Sequence, residues 1–110
     1  MKVHWTDTAQ GHLDAIYGYI ALDSPEYALR MVDRLTRRSE QIADFPLSGR
    51  IVPEHETERV REVFEGAYRI IYHIKEDRID VVAVIHGARD LRKAEKEEGW
   101  GVQGERSENE

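Results

Sequence analysis

Three arginines and one histidine are the residues of this 110-residue chain whose types and spacing could do chemistry. Arg61, Arg69 and Arg89 lie near the ends of predicted strands, and His86 precedes Arg89 by three residues. Guanidinium groups are planar, bidentate donors that suit phosphates and carboxylates, so arginines that converge at one end of a sheet form a partner-binding surface. The alternative is ordinary surface pairing with acidic neighbours, which are Glu62, Glu65 and Asp90.

His86 stands where a predicted strand ends, and two interpretations of it stay open. It either hydrogen-bonds the chain as it leaves the sheet or belongs to a functional surface with the residues that follow it. The chain has five histidines but no cysteine, and no two histidines are spaced four residues apart on a predicted helix. We therefore expect no metal site and no cofactor.

The composition limits the classes of function. There are 16 Lys and Arg against 22 Asp and Glu, which gives a formal net charge of -6. Such a chain lacks the overall positive field that drives nonspecific phosphate binding, so any nucleic-acid role has to rest on a local patch. Without cysteine, a signal peptide or a long apolar run, we expect one soluble, cytoplasmic domain that does not enter membranes.

A predicted β-hairpin from Tyr68 to Ile85 positions these side chains, with a charged turn from Lys75 to Arg78. In the predicted register Tyr72 faces Val81 and Ile70 faces Ala83, which makes one face apolar. The opposite face is then mixed and carries Arg69, Ile71, His73, Asp80, Val82, Val84 and His86. On that face the register places His73 opposite Asp80, which favours a cross-strand charge pair.

Patterns elsewhere in the sequence predict an α+β domain of order β-α-α-β-β-β. The N-terminal strand joins the sheet, and an antiparallel two-helix hairpin packs on one face of an antiparallel β-sheet. The predicted elements are a strand at Val3 to Trp5, a helix capped by Thr6 or Asp7, a helix that begins at Ser24-Pro25 and ends near Phe45-Pro46, and a strand at Val60 to Phe64. We expect one domain over residues 1–98, with a short charged helix from Arg92 to Glu98, and a flexible acidic tail over residues 99–110.

Four motifs in order resemble the RelE/ParE superfamily of toxins from type II toxin–antitoxin systems, and specifically its ParE branch. They are Trp5-Thr6, Phe45 to Arg50, Ala67 to Tyr72, and Val84 to Leu91, and the resemblance covers residues 1 to about 92. It implies a growth-inhibiting toxin, associated with plasmid stabilisation, that a cognate ParD-like antitoxin neutralises in a hetero-oligomer. It also implies DNA gyrase as the target, without direct sequence-specific binding of nucleic acid.

Two alternatives remain. The RelE branch cleaves messenger RNA on the ribosome, and Arg69 and Arg89 match two of its arginines. However, Glu62 has the wrong sign for an anionic transition state, no tyrosine follows Arg89, and His86 is the only titratable candidate. These features favour a toxin that acts by binding and has no catalytic residues. The third possibility is a non-toxic partner of an antitoxin.

The resemblance and the predicted faces together give two expected surfaces. We expect the target to bind where the last strand ends, at His86, Arg89, Asp90 and Leu91. This segment is polar and close to the tail, so we expect its loss to change stability little. We expect the antitoxin to cover an exposed apolar patch beside two arginines, formed by Arg61, Arg69, Ile71, Val82 and Val84.

Overall fold

The computed structural model describes residues 1–101, in which five strands form one sheet, two long α-helices cover one of its faces and a third, short α-helix lies over the other. In chain order the elements are β1 (Lys2–Trp5), α1 (Asp7–Ala21), α2 (Pro25–Asp44), β2 (Arg50–Ile51), β3 (Val60–Glu65), β4 (Tyr68–Ile74), β5 (Arg78–His86) and α3 (Leu91–Glu98). The predicted flexible tail beyond residue 101 lies outside the described residues. Among residues 1–101, no helix has both the length and the apolar character needed to cross a bilayer.

Both long helices begin where their capping residues predict. The hydroxyl of Thr6 accepts a hydrogen bond from the N–H of Ala9, and that of Ser24 accepts one from Tyr27. Each bond satisfies a backbone donor that the first turn of a helix leaves without a partner. The second helix ends at Asp44, because the residue before Pro46 is disfavoured in helical geometry.

The strands form a mixed sheet of order β1-β5-β4-β3-β2. The α+β class and the packing of the helical hairpin on one face are confirmed. The expectation of a wholly antiparallel sheet was wrong, because β1 pairs parallel to β5, with Trp5 opposite Val81. The strands β3, β4 and β5 pair antiparallel in chain order, and β1 joins the free edge of β5 and runs in the same direction as β5.

The helix-covered face of the sheet is built around Tyr72, which is fully buried. Its hydroxyl donates to the carbonyl of Pro46 at 2.7 Å and accepts from the N–H of Gly49 at 3.1 Å. A Cβ atom on Gly49 would overlap that hydroxyl, so the close approach requires glycine. The end of α2 is thereby tied to the centre of the sheet.

The hairpin register is correct at its turn and wrong at its far end. Ile74 pairs with Ile79 and Tyr72 with Val81, as predicted, and His73 pairs with Asp80. Beyond this point Ile71 pairs with Ala83 rather than Val82, so Val82 is the extra residue of a β-bulge. Because one extra residue reverses the facing of those that follow, Val84 turns to the helix side.

The opposite face of the sheet has a core of its own. Ile71, Val82 and Ile85 pack there with Val52 and Leu91, and Trp100 packs against them. The predicted exposed apolar patch was therefore wrong. Ile71, Val82 and Val84 are 0%, 7% and 2% exposed, because α3 and the segment after β2 cover this face while Val84 lies under the helices.

Candidate functional site

Arg69 lies at the centre of a buried ion-pair cluster. Its side chain is 4% exposed, and its Nε donates to Glu62 Oε1 at 2.6 Å. Its two terminal nitrogens donate to the carboxylate of Glu54 at 3.0 and 3.3 Å. The second oxygen of Glu62, whose side chain is fully buried, accepts from Nε of Arg50. Nε and both terminal nitrogens of the Arg69 guanidinium are thus already bonded to carboxylates.

Two arginines and two glutamates make this cluster electrically neutral. Burial lowers the pKa of Arg69, but its bonds to Glu54 and Glu62 outweigh that effect and raise the pKa above its ordinary value. Burial also raises the pKa of Glu54, yet the bond from Arg69 and backbone hydrogen bonds hold that pKa below its usual range. The sequence argument that Glu62 presents a repelling charge was therefore incomplete, because two guanidinium groups neutralise it.

The cluster also attaches the segment that leads into α3. Arg69 Nη1 donates to the carbonyl of Arg89 at 3.4 Å, and the N–H of Leu91 donates to Glu54 Oε2 at 3.4 Å. Farther along α3, His55 Nε2 lies 3.0 Å from Glu95 Oε2. These contacts hold α3 over the second face of the sheet. The helix therefore covers the surface where an arginine-based site was expected.

The three arginines do not converge. Arg61 pairs with Tyr72, so its side chain lies on the helix side of the sheet, opposite the side that carries Arg69. The Arg61 guanidinium donates to three backbone carbonyls, those of Leu47, Gly49 and Glu58. Arg61 therefore stabilises the loop around β2. It lies apart from Arg69 and Arg89, which are neighbours.

The end of β5 separates into exposed and structural residues. His86 is exposed, and its Nδ1 accepts a hydrogen bond from the N–H of Ala88 at 3.2 Å, which confirms that it bonds the chain leaving the sheet. Asp90 caps α3 by accepting from the N–H of Lys93. Leu91 is fully buried in the second core, so its assignment to an exposed target surface was wrong.

A groove of about 420 Å³ opens between α1 and the end of β5. It is lined by aromatic, imidazole and charged side chains that include Tyr19, Tyr68, His12, His86, Arg89 and Glu98. The Tyr68 and His86 rings meet edge to face, with their centroids 5.9 Å apart. The groove brings two residues of the predicted target surface, His86 and Arg89, beside residues from the first helix and the last.

Glu98 holds one wall of this groove in place. Its Oε1 accepts from His12 Nε2 at 2.7 Å and from the indole N–H of Trp100 at 2.8 Å, and its Oε2 lies 3.0 Å from Arg89 Nη2. Nδ1 of His12 accepts a hydrogen bond from the N–H of Val84. Val84 lies on the part of the β5 edge with which β1 does not pair. One imidazole tautomer, with its hydrogen on Nε2, satisfies both contacts of His12.

We expect the Glu98 contacts to make stability depend on acid pH. Burial raises the pKa of Glu98, but hydrogen bonds from His12, Trp100 and Arg89 outweigh it and lower the pKa from 4.5 to about 2. Ionised Glu98 therefore stabilises the fold above the ordinary pKa, and this contribution is lost as the pH falls from 4.5 towards 2. As the pH is lowered from about 5 to about 3, the free energy of unfolding measured with urea should fall less for Glu98→Gln than for the parent chain.

Glu97→Gln is the matched control for this experiment, because Glu97 is the more exposed neighbour, with its Oε1 3.9 Å from Arg89 Nη2. It should keep the pH dependence of the parent. Equal pH dependence in the parent and Glu98→Gln would contradict the assignment.

Sequence reasoning missed Glu54, Glu98, His12, His55 and Trp100. The signal for Trp100 was present, since an isolated tryptophan in a polar segment usually has apolar surface to cover. The ionic partners had no local signal, because the residues in each pair are separated by 15 to 86 positions in the chain. Within residues 1–101, no three His, Cys, Asp or Glu side chains are arranged so that they could share a metal ion.

Comparison with known proteins places this geometry in context. Residues 3–91 match the family model described as ParE toxin of type II toxin–antitoxin system, parDE. Toxin RelE2 of Caulobacter vibrioides is 35% identical over 89 residues, which cover 80% of this chain and 97% of that protein. Putative toxin Y4kP of Sinorhizobium fredii is 33% identical over 85 residues, which cover 77% and 86% of the two chains.

A solved structure is similar over the same region. The chromosomal ParDE toxin–antitoxin system from P. aeruginosa contains a chain that is 26% identical and superposes with a TM-score of 0.66. The alignment covers 78% of this chain and 95% of that one. The match by the family model includes the Arg69 cluster and ends at Leu91, the first residue of α3.

Proposed function

This chain belongs to the ParE toxin family of type II toxin–antitoxin systems, and we propose that it inhibits growth by binding DNA gyrase rather than by catalysis. The motifs that resemble the ParE branch support the choice of target. A ParD-like antitoxin neutralises the toxin in this proposal, as the similarity to a ParDE system favours.

The burial of Arg69 is the observation that carries the proposal. In the RelE-like alternative, the guanidinium of Arg69 would have to point at the charge that develops in the transition state. Here Arg69 is 4% exposed, and Glu54 and Glu62 occupy its donors. An arginine held in this way serves as a structural anchor, which favours action by binding.

The antitoxin needs a surface other than the buried patch predicted from the sequence. The helical hairpin offers one, because Leu22, Tyr27 and Leu29 are 83%, 42% and 60% exposed. All three lie near the turn between α1 and α2, and exposed apolar side chains that cluster on a surface commonly mark a protein-binding site. We propose that apolar residues of the antitoxin cover this end of the hairpin.

One observation favours the RelE-like alternative: the relative with 35% identity is named Toxin RelE2. In that case His86 and Arg89, which share a groove with Tyr68, would be the groups to consider for proton transfer and phosphate contact. The non-toxic alternative retains antitoxin binding and has no effect on growth.

Induced expression with three separate measurements tests these possibilities. A gyrase-binding toxin should produce gyrase-dependent DNA breaks, while ribosome-bound messenger RNA stays intact and translation continues until damage accumulates. The control is co-expression with the antitoxin, which should restore growth. Codon-specific cleavage of messages on ribosomes would overturn the assignment in favour of the RNase, and unimpaired growth would favour the non-toxic partner.

A further inference from the structure

We infer that the surface formed by the groove and the exposed side of α3 binds a single-stranded segment of nucleic acid. This property lies beyond the proposed function, since it requires neither gyrase nor an antitoxin. The inference rests on aromatic rings that line the groove, on three exposed cations of α3 that form no ion pair within residues 1–101, and on Arg89, which lines both the groove and a hollow beside Lys93.

The groove offers aromatic surface in an open setting. Tyr19 is 76% exposed on the last turn of α1, while Tyr68 and His86 meet edge to face on the opposite side of the groove. A volume of about 420 Å³ lies in the range typical of ligand sites. Exposed aromatic rings in such a groove suit stacking with unpaired bases, which tolerates any sequence because every base has a π face.

The cations of α3 share one side of the helix, and of its three glutamates Glu97 lies beside them. Glu95 and Glu98 face the protein, where they bond to His55 and His12. The cations are exposed and fall within about 100° of the helix circumference. They are Arg92, Lys93 and Lys96, and none of them forms an ion pair with another residue among positions 1–101.

We call Arg92, Lys93 and Lys96 the basic stripe. Glu95 and Glu98 bond inward, and Glu97, whose side chain is 56% exposed, is the one glutamate of α3 beside the stripe. Three cations against one carboxylate leave an excess of positive charge here, on a chain whose net charge is -6. It lies beyond residues 3–91, the part of the chain that the family model matches. The stripe therefore supplies the local patch that the composition requires of any nucleic-acid role.

Arg89 connects the stripe to the groove. Its side chain lines the groove and also a second hollow of about 300 Å³, whose other charged residues are Lys93, Asp90 and Glu97. Glu98 brings negative charge to the groove, but its ion pair with Arg89 compensates that charge. The surface thus combines stacking rings with an adjacent cationic track, which is the arrangement that single-strand binding proteins use.

A single strand fits this surface better than a duplex does. In a duplex the bases are stacked on one another, so their faces cannot reach Tyr19 or Tyr68, and only the stripe would contribute. Phosphates of an unpaired strand can follow the stripe while its bases enter the groove. We therefore expect tighter binding of a single strand than of a duplex of the same sequence.

Fluorescence anisotropy with the purified chain tests this expectation. The probes are labelled DNA and RNA strands of about 12 nucleotides and the corresponding DNA duplex, measured over a range of salt concentrations. Tyr19→Ala should weaken single-strand binding by roughly five-fold or more, which is the loss expected for one stacked base. Saturable binding of either strand supports the inference, and the tighter of the two identifies the natural ligand type.

The stripe is tested by the variant Arg92→Ser/Lys93→Ser/Lys96→Ser. Removing three phosphate contacts should reduce the slope of log K against log salt by about 2. Arg30→Ser/Arg37→Ser/Arg59→Ser is the matched control, because it removes the same charge from exposed positions elsewhere. Leu22→Ala is the control for Tyr19→Ala, since Leu22 is 83% exposed and does not line the groove.

Three results would overturn the inference. They are the absence of saturable binding to any probe, equal losses in the two triple variants, and binding of duplex as tight as single strand with no effect of Tyr19→Ala. All substituted residues are exposed, so melting temperatures of the variants should stay close to that of the parent. Because gyrase is absent from the assay, its outcome is independent of the proposed target.

Discussion

Replacing Arg89 with alanine is expected to abolish growth inhibition while the folded toxin and its binding of antitoxin persist. Arg89 is 42% exposed, lines the groove, and adjoins His86 at the predicted target surface. Its bond to Glu98 is a partly exposed ion pair, so its removal should cost only about 0–1 kcal/mol of unfolding free energy. Colony counts after induction measure the first effect, and thermal unfolding measures the second.

Two variants calibrate this experiment. Arg59→Ala removes an exposed arginine from a loop outside the groove and should leave toxicity unchanged. Tyr72→Ala removes a fully buried ring and should cost roughly 3–5 kcal/mol, so its toxicity should fall together with its stability. Full toxicity of Arg89→Ala would place the target surface elsewhere, with Arg34, Arg37 and Arg38 on α2 as the next residues to substitute.

A large loss of stability should also follow from replacing Arg69 with alanine. The substitution leaves Glu62 without its buried partner and Glu54 without either guanidinium nitrogen that it binds. Removing one partner of a buried ion pair typically costs about 3–5 kcal/mol. For a domain of this size, that corresponds to a fall in melting temperature of roughly 12 °C or more.

Arg50→Ala is the matched control, because Arg50 binds the same Glu62 but is 60% exposed and leaves Arg69 in place. It should cost about 1 kcal/mol or less. Arg69→Ala/Glu62→Ala tests the pairing directly. If the two residues stabilise each other, the double variant should be less destabilised than the two single variants together predict. Additive losses, or a stable Arg69→Ala protein, would show that the cluster does not anchor the second face.

The parts of the fold with local signals were predictable from the sequence. Thr6 and Ser24 cap helices because their hydroxyls satisfy donors only three residues away, and the charged turn at Glu76-Asp77 fixes the register beside it. The bulge at Val82 had no such signal. Val82, Ala83 and Val84 are all apolar, so either register gives a plausible pattern, and neither glycine nor proline marks the extra residue.

That single residue explains most of the error at the candidate site. With the uniform register, Val84 falls on the face of Arg69 and leaves an apparent apolar patch; with the bulge, it packs under the helices. The cover over the remaining residues comes from Leu91 and Trp100, which sequence reasoning placed outside the core. Pairing of the arginines with acidic neighbours, Glu62 among them, was the alternative to a partner-binding surface, but Glu54 lies in a loop whose position depends on tertiary structure.

The parallel pairing of β1 with β5 has a consequence for the order of events during synthesis. The helical hairpin can form from neighbouring residues soon after it emerges, but Trp5 has no strand partner until Val81 has been made. At a translation rate of roughly 5–20 residues per second, that delay is about 4–15 s. The apolar surfaces of the N-terminal strand and of the helical hairpin therefore stay uncovered until nearly the whole domain has been synthesised. An antitoxin already present in the cell would meet this chain before the toxin has completed its fold.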